Sequence, residues 1–71
     1  MVKIFIVTPA YNESKTILNW ALQVEQELLW IHQNQTRLNP KLVVIDDGST
    51  DETFQILDKK KKSFQFLDLH L

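Results

Sequence analysis

Two short stretches hold the residue types able to do chemistry. In Val43-Val44-Ile45-Asp46-Asp47-Gly48-Ser49-Thr50-Asp51-Glu52-Thr53, an apolar run ends on two adjacent carboxylates and then on the chain's only glycine. In Val7-Thr8-Pro9-Ala10-Tyr11-Asn12-Glu13-Ser14, another apolar run ends in a proline, an aromatic ring, an amide and a carboxylate. A carboxylate at a strand tip can bind a metal ion, accept hydrogen bonds from a base or ribose, or receive a phosphoryl group. The structural alternative is that Asp46 and Asp47 cap turns and the following helix, but two adjacent acids exceed what one cap requires.

The surrounding pattern says how these stretches are held. Val2 to Thr8 reads as a strand, its near-continuous apolar run suiting a parallel sheet covered on both faces, and Pro9 is expected to end it. A helix follows from about Lys15 to about His32, with Asn12 or Ser14 as its cap. Its stripe is Ile17, Ala21, Val24, Leu28 and Ile31, widened by Leu18, Leu22 and Leu29. Trp20 and Trp30 lie towards the edges of that face and read as packing residues rather than a ligand cage. Gln33 to Pro40 reads as a polar connection with Asn39-Pro40 as a turn. The second strand then runs through Leu42 to Ile45. Ser49 with Glu52 has capping-box spacing, so a second helix is expected over about Asp51 to Lys60.

Strand, helix, parallel strand, helix is a right-handed βαβ unit with one further helix. The fold class is therefore α/β, a Rossmann-like parallel β-α-β-α unit. Its topology brings Pro9–Glu13 and Asp46–Gly48 to the carboxyl edge of one sheet, where α/β proteins bind ligands.

Composition narrows the function. The 71 residues allow at most one small domain. A net charge of −1 argues against electrostatic capture of nucleic acid. With no cysteine, disulfides and thiolate metal sites are excluded. The apolar start is too short for a signal peptide or a membrane span. The expected location is accordingly the cytoplasm, and the sequons at Asn12 and Asn34 read as chance matches. A Walker B strand needs an upstream glycine-rich loop, and a dinucleotide fingerprint needs three glycines at the first turn; no glycine precedes Gly48. A phosphorelay receiver would carry its acids after the first strand.

Both stretches, in this order and spacing, resemble the opening of the family 2 glycosyltransferases, over about Val2 to about Leu57. The resemblance implies the first part of a glycosyltransferase A-type domain, whose N-terminal half binds a nucleotide-diphosphate sugar, UDP- or GDP-linked. By position, Pro9, Tyr11 and Glu13 would line the nucleoside pocket, and Ile45 and Asp47 would complete it. Tyr11 offers a face for the base, Asp47 an acceptor for a base N–H, and Glu13 an acceptor for a ribose hydroxyl. Asp46 reads as a turn organiser. The family also implies a divalent metal, Mg or Mn, on a downstream Asp-x-Asp motif. That motif is absent here, as are the family's catalytic base and acceptor site. This chain alone is therefore expected to transfer no sugar, and any membrane association is expected from further segments of a complete protein. The rival reading is a non-catalytic α/β binding module.

Residues 1–58 are thus expected to form the β-α-β-α part and 59–71 a lysine-rich tail, truncated or unrelated to the family. A natural short protein, a cut chain, or a frameshift in an adenine-rich codon run would each account for such a tail. Lys59–Lys62 reads as a solvated helix end, and Phe64, Phe66 and Leu69 as the start of a third strand. So small a core is expected to leave strand edges open for self-association.

Overall fold

A computed structural model describes all 71 residues. The elements in order are β1 (Val2–Ala10), α1 (Ile17–Asn34), β2 (Leu38–Asp46), α2 (Thr53–Lys60), a short 3-10 turn (Lys61–Ser63) and β3 (Leu67–His70). The three strands form one parallel sheet in the order β1-β2-β3. It is the expected α/β architecture, a Rossmann-like parallel β-α-β-α unit extended by a third strand.

The core lies between the sheet and the two helices, on one face only. Leu42 and Val44 of β2, Ile17, Ala21 and Leu28 of α1, Leu57 of α2, Phe66 just before β3 and Leu67 at its start are buried together. Alternation along β2 explains the choice: Pro40, Leu42, Val44 and Asp46 turn inward, and the odd-numbered residues face away. On the other face Phe5, Val7 and Ile45 remain exposed, so the sheet is not covered on both sides as its apolar strands suggest. The stripe expected on α1 is the face that packs, with Val24 and Ile31 partly buried against the core. Trp30 is 59% exposed and takes no part in that packing.

Both prolines lie inside strands, against expectation. The N–H of Val2 donates towards β2, to the Arg37 carbonyl. By alternation the nitrogen of Pro9 points to the open side of the edge strand β1, where no hydrogen bond is lost and the strand runs on to Ala10. The N–H of Leu42 donates towards β3, to Phe66. The nitrogen of Pro40, two residues earlier, points the same way but lies before the first residue paired with β3. Asn39 and Pro40 are therefore paired with Lys3 and Ile4 rather than forming a turn.

Helix starts also differ from expectation. α1 begins at Ile17 because the Glu13 carbonyl accepts the N–H groups of both Thr16 and Ile17, making residues 13–16 a turn. α2 begins at Thr53, and the capping box does not form, since no side chain caps the helix at Glu52. The third strand starts later than Phe64. The Glu25 carboxylate accepts the N–H groups of Gln65 and Phe66 at 2.7 and 3.2 Å, tying α1 to the entry of β3.

Candidate functional site

β1 and β2 deliver the two loops side by side. Pro9 pairs with Ile45 and Ala10 with Asp46, and the Asp47 N–H extends the ladder by donating to the Ala10 carbonyl at 2.8 Å. Beyond that point the loops are joined through side chains. Asn12, at φ +51°, sits in the left-handed region that asparagine tolerates. Its Oδ1 accepts the N–H groups of Thr50 at 2.8 Å and Asp51 at 3.3 Å, and the Thr50 hydroxyl at 3.3 Å. Its own N–H donates to Ser49 Oγ at 3.0 Å. The next two N–H groups follow suit, Glu13 to Thr53 Oγ1 at 2.8 Å and Ser14 to Asp51 Oδ2 at 3.2 Å.

The acidic turn is organised from within as well. Asp46, buried, accepts the Ser49 N–H at 2.9 Å and so holds the turn from within. Gly48 supplies the left-handed residue, φ +76°, that the reversal after Asp47 needs. Asp51 accepts the Thr53 N–H at 2.9 Å and the Thr53 hydroxyl. The Thr53 hydroxyl first, and then the Thr53 and Ser14 N–H groups, favour the carboxylate and outweigh desolvation. They draw Asp51 down from 3.8 to about 2.

The five residues expected at the site divide cleanly from these. Pro9, Tyr11, Glu13, Ile45 and Asp47 are all exposed. The side chains of Tyr11, Glu13 and Asp47 make no hydrogen bond within the chain, although those of their neighbours Asn12 and Asp46 each accept through one oxygen. A cleft of about 300 Å³ is lined by Thr8, Pro9, Glu13, Thr16, Ile17 and Trp20. It takes in Pro9 and Glu13 but not Tyr11, Ile45 or Asp47. The β ladder, rather than the cleft, brings Pro9, Ile45 and Asp47 together. Trp20, expected as packing, lines that cleft. Ser49, Asp51 and Thr53 belong to the site's framework through partners 37 to 40 residues away, so no local pattern announces them.

Chemically, an aromatic face with two free carboxylates suits a planar ring bearing N–H donors and a sugar bearing hydroxyls. The same loops carry a single cation, Lys15, and offer little to a pyrophosphate. They do not fit a divalent metal either. No three His, Cys, Asp or Glu side chains come together to hold one, and the carboxylates of Asp46 and Asp51 already accept N–H groups. No helix is long and apolar enough to cross a membrane.

Comparison with known proteins gives a consistent picture. The family described as glycosyl transferase family 2 matches residues 5–71, through the lysine block and β3. An uncharacterized glycosyltransferase of Rickettsia bellii (strain RML369-C) is 33% identical over 66 residues, which is 90% of this chain and 8% of the relative. One from Rickettsia felis (strain ATCC VR-1525 / URRWXCal2) is 31% identical over 68 residues, 96% of this chain and 10% of the relative. A third, from Rickettsia conorii (strain ATCC VR-613 / Malish 7), is 33% identical over 66 residues, 90% of this chain and 10% of the relative. The chain thus spans a tenth or less of the curated relatives it matches. No solved structure matches it.

Proposed function

Because the chain belongs to glycosyl transferase family 2, we propose that its two latched loops form the nucleoside-binding part of a nucleotide-diphosphate-sugar site. In a complete enzyme of this family that site presents the donor for transfer of the sugar to an acceptor. The observation that carries the reading is the division of labour at the sheet edge. Asn12, Ser49, Asp51 and Thr53 tie the loops together, Asp46 holds its own turn, and the side chains of Tyr11, Glu13 and Asp47 stay unpaired.

In this reading the base of UDP or GDP stacks on Tyr11, its ring N–H donates to Asp47, and a ribose hydroxyl donates to Glu13. Pro9 and Ile45, paired across β1 and β2, form the apolar floor. The pyrophosphate, its divalent ion, the catalytic base and the acceptor are served by residues other than these 71. The chain by itself therefore binds nucleotide and transfers no sugar, and it does so in the cytoplasm.

Amide chemical shifts followed during addition of UDP and of GDP test this reading. Shifts confined to Tyr11, Glu13, Ile45 and Asp47 are expected with one of the two. A folded chain with no shifts at either loop overturns the reading.

A further inference from the structure

We propose that Asn12 is a positioning residue for the nucleotide site: its side chain latches the β1 loop to the β2 loop and thereby sets Tyr11 and Glu13 against Asp47. The inference rests on the functional reading above and names the residue on which that site's shape depends. Asn12 touches no ligand in this account.

The geometry is specific to this side chain. One oxygen, Asn12 Oδ1, gathers two consecutive N–H groups of the opposite loop, at 2.8 Å from Thr50 and 3.3 Å from Asp51, with the Thr50 hydroxyl at 3.3 Å. The carbonyl side of an amide has the lone pairs for this, and a hydrocarbon side chain has none. The backbone turns at Asn12 itself, φ +51°, so its side chain is spent on the opposite loop and those of Tyr11 and Glu13 are left unpaired. Across the gap, Asp47 is held only by its backbone N–H to Ala10, at 2.8 Å, and its carboxylate is free. The β ladder thus fixes where the loops leave the sheet, and Asn12 fixes how far apart they stand two residues past Ala10 and four past Asp46.

A helix cap is the competing employment for this asparagine, and it is not what Asn12 does. The N-cap of α1 is Thr16, and no side chain caps that helix. The hydrogen bonds of Asn12 all run to residues 49–51, across 37 to 39 positions of sequence. Its loss should therefore register at the site more than in α1.

The test uses the 71-residue chain with Asn12→Ala, Asn12→Gly and Asn12→Asp. Asn12→Gly keeps the left-handed backbone and removes the side chain. Asn12→Asp keeps an oxygen able to accept the Thr50 and Asp51 N–H groups. Ile31→Val, remote and partly buried, serves as a control that lowers stability without touching the loops. Two quantities are read on folded chains: amide hydrogen exchange at Thr50 and Asp51 without ligand, and the dissociation constant for UDP and GDP.

Asn12→Ala and Asn12→Gly are expected to speed that exchange and to weaken nucleotide binding about tenfold, the loss of one or two net hydrogen bonds. Asn12→Asp is expected to restore both, and Ile31→Val to change neither. Exchange at the wild-type rate in Asn12→Gly overturns the latch. Faster exchange with wild-type affinity makes Asn12 structural only and overturns the positioning role. A wild-type chain that binds neither nucleotide overturns the functional reading and the role of Asn12 in it, and the exchange rates still decide whether the latch exists.

Discussion

The backbone N–H of Asp47 donates to the carbonyl of Ala10 at 2.8 Å, one step beyond the last paired residues of β1 and β2. The bond fixes the backbone of Asp47 and leaves its carboxylate exposed and without a partner. Two substitutions separate the two parts. Asp47→Ala keeps the N–H and is expected to change stability by no more than about 0.5 kcal/mol. Asp47→Pro removes the N–H and leaves a carbonyl at buried Ala10 unpaired, at a cost of about 1–3 kcal/mol. Urea unfolding followed by circular dichroism checks both; equal midpoints for the two variants would remove the ladder extension from the account.

Asp51 gives the loops a pH dependence whose sign is fixed by its hydrogen bonds. Its pKa lies at about 2 against the ordinary 3.8, so the folded state favours the carboxylate. Stabilisation from this group is complete above the ordinary value and is lost as pH falls through about 2. The Ser14 and Thr53 amide resonances are expected to titrate with a midpoint near 2, and Asp51→Asn to abolish that titration. A midpoint at the ordinary value would mean that the Thr53 and Ser14 donors do not engage the carboxylate.

Leu57 is the point at which α2 enters the core, fully buried with Leu28, Leu42 and Val44. Leu57→Ala is expected to cost about 2–5 kcal/mol. A chain of this length buries only about 60% of its unfolded surface, so that loss is enough to unfold it at room temperature. Far-UV circular dichroism reads the outcome directly, and a Leu57→Ala chain as helical as the wild type would place the core elsewhere.

Gly48 has no heavy atom within 4 Å of where a Cβ would stand, so backbone conformation alone resists substitution. At φ +76° an alanine costs about 1–2 kcal/mol, and an asparagine less. Urea midpoints should therefore rank glycine above asparagine above alanine. Equal values for asparagine and alanine would contradict a left-handed turn at this residue.

How much of this was legible depended on whether its cause was local. The apolar runs of Ile4–Val7 and Leu42–Ile45 and the stripe from Ile17 to Ile31 carry their own periodicity, so strands, helices and parallel order could be read directly. The places of Pro9 and Pro40 are not legible locally, because a proline's effect in a strand depends on which side its nitrogen faces, and the neighbouring strands decide that. Ser49, Asp51 and Glu52 have the spacing of a helix cap, yet Ser49 serves residue 12 and Asp51 divides its carboxylate between Thr53 and residue 14. Asn12 looked like a cap for the same reason. The adjacency of the two loops followed from topology, and the hydrogen bonds that lock them did not, because they join residues some 40 positions apart.

The most direct test of the account is calorimetric titration of the folded 71-residue chain with UDP and with GDP, beside Asp47→Ala. One nucleotide is expected to bind, and Asp47→Ala, with its fold intact, to abolish that binding. A folded wild-type chain that binds neither nucleotide, or binds one as well after Asp47→Ala, would contradict the claim that these two loops form a nucleoside site.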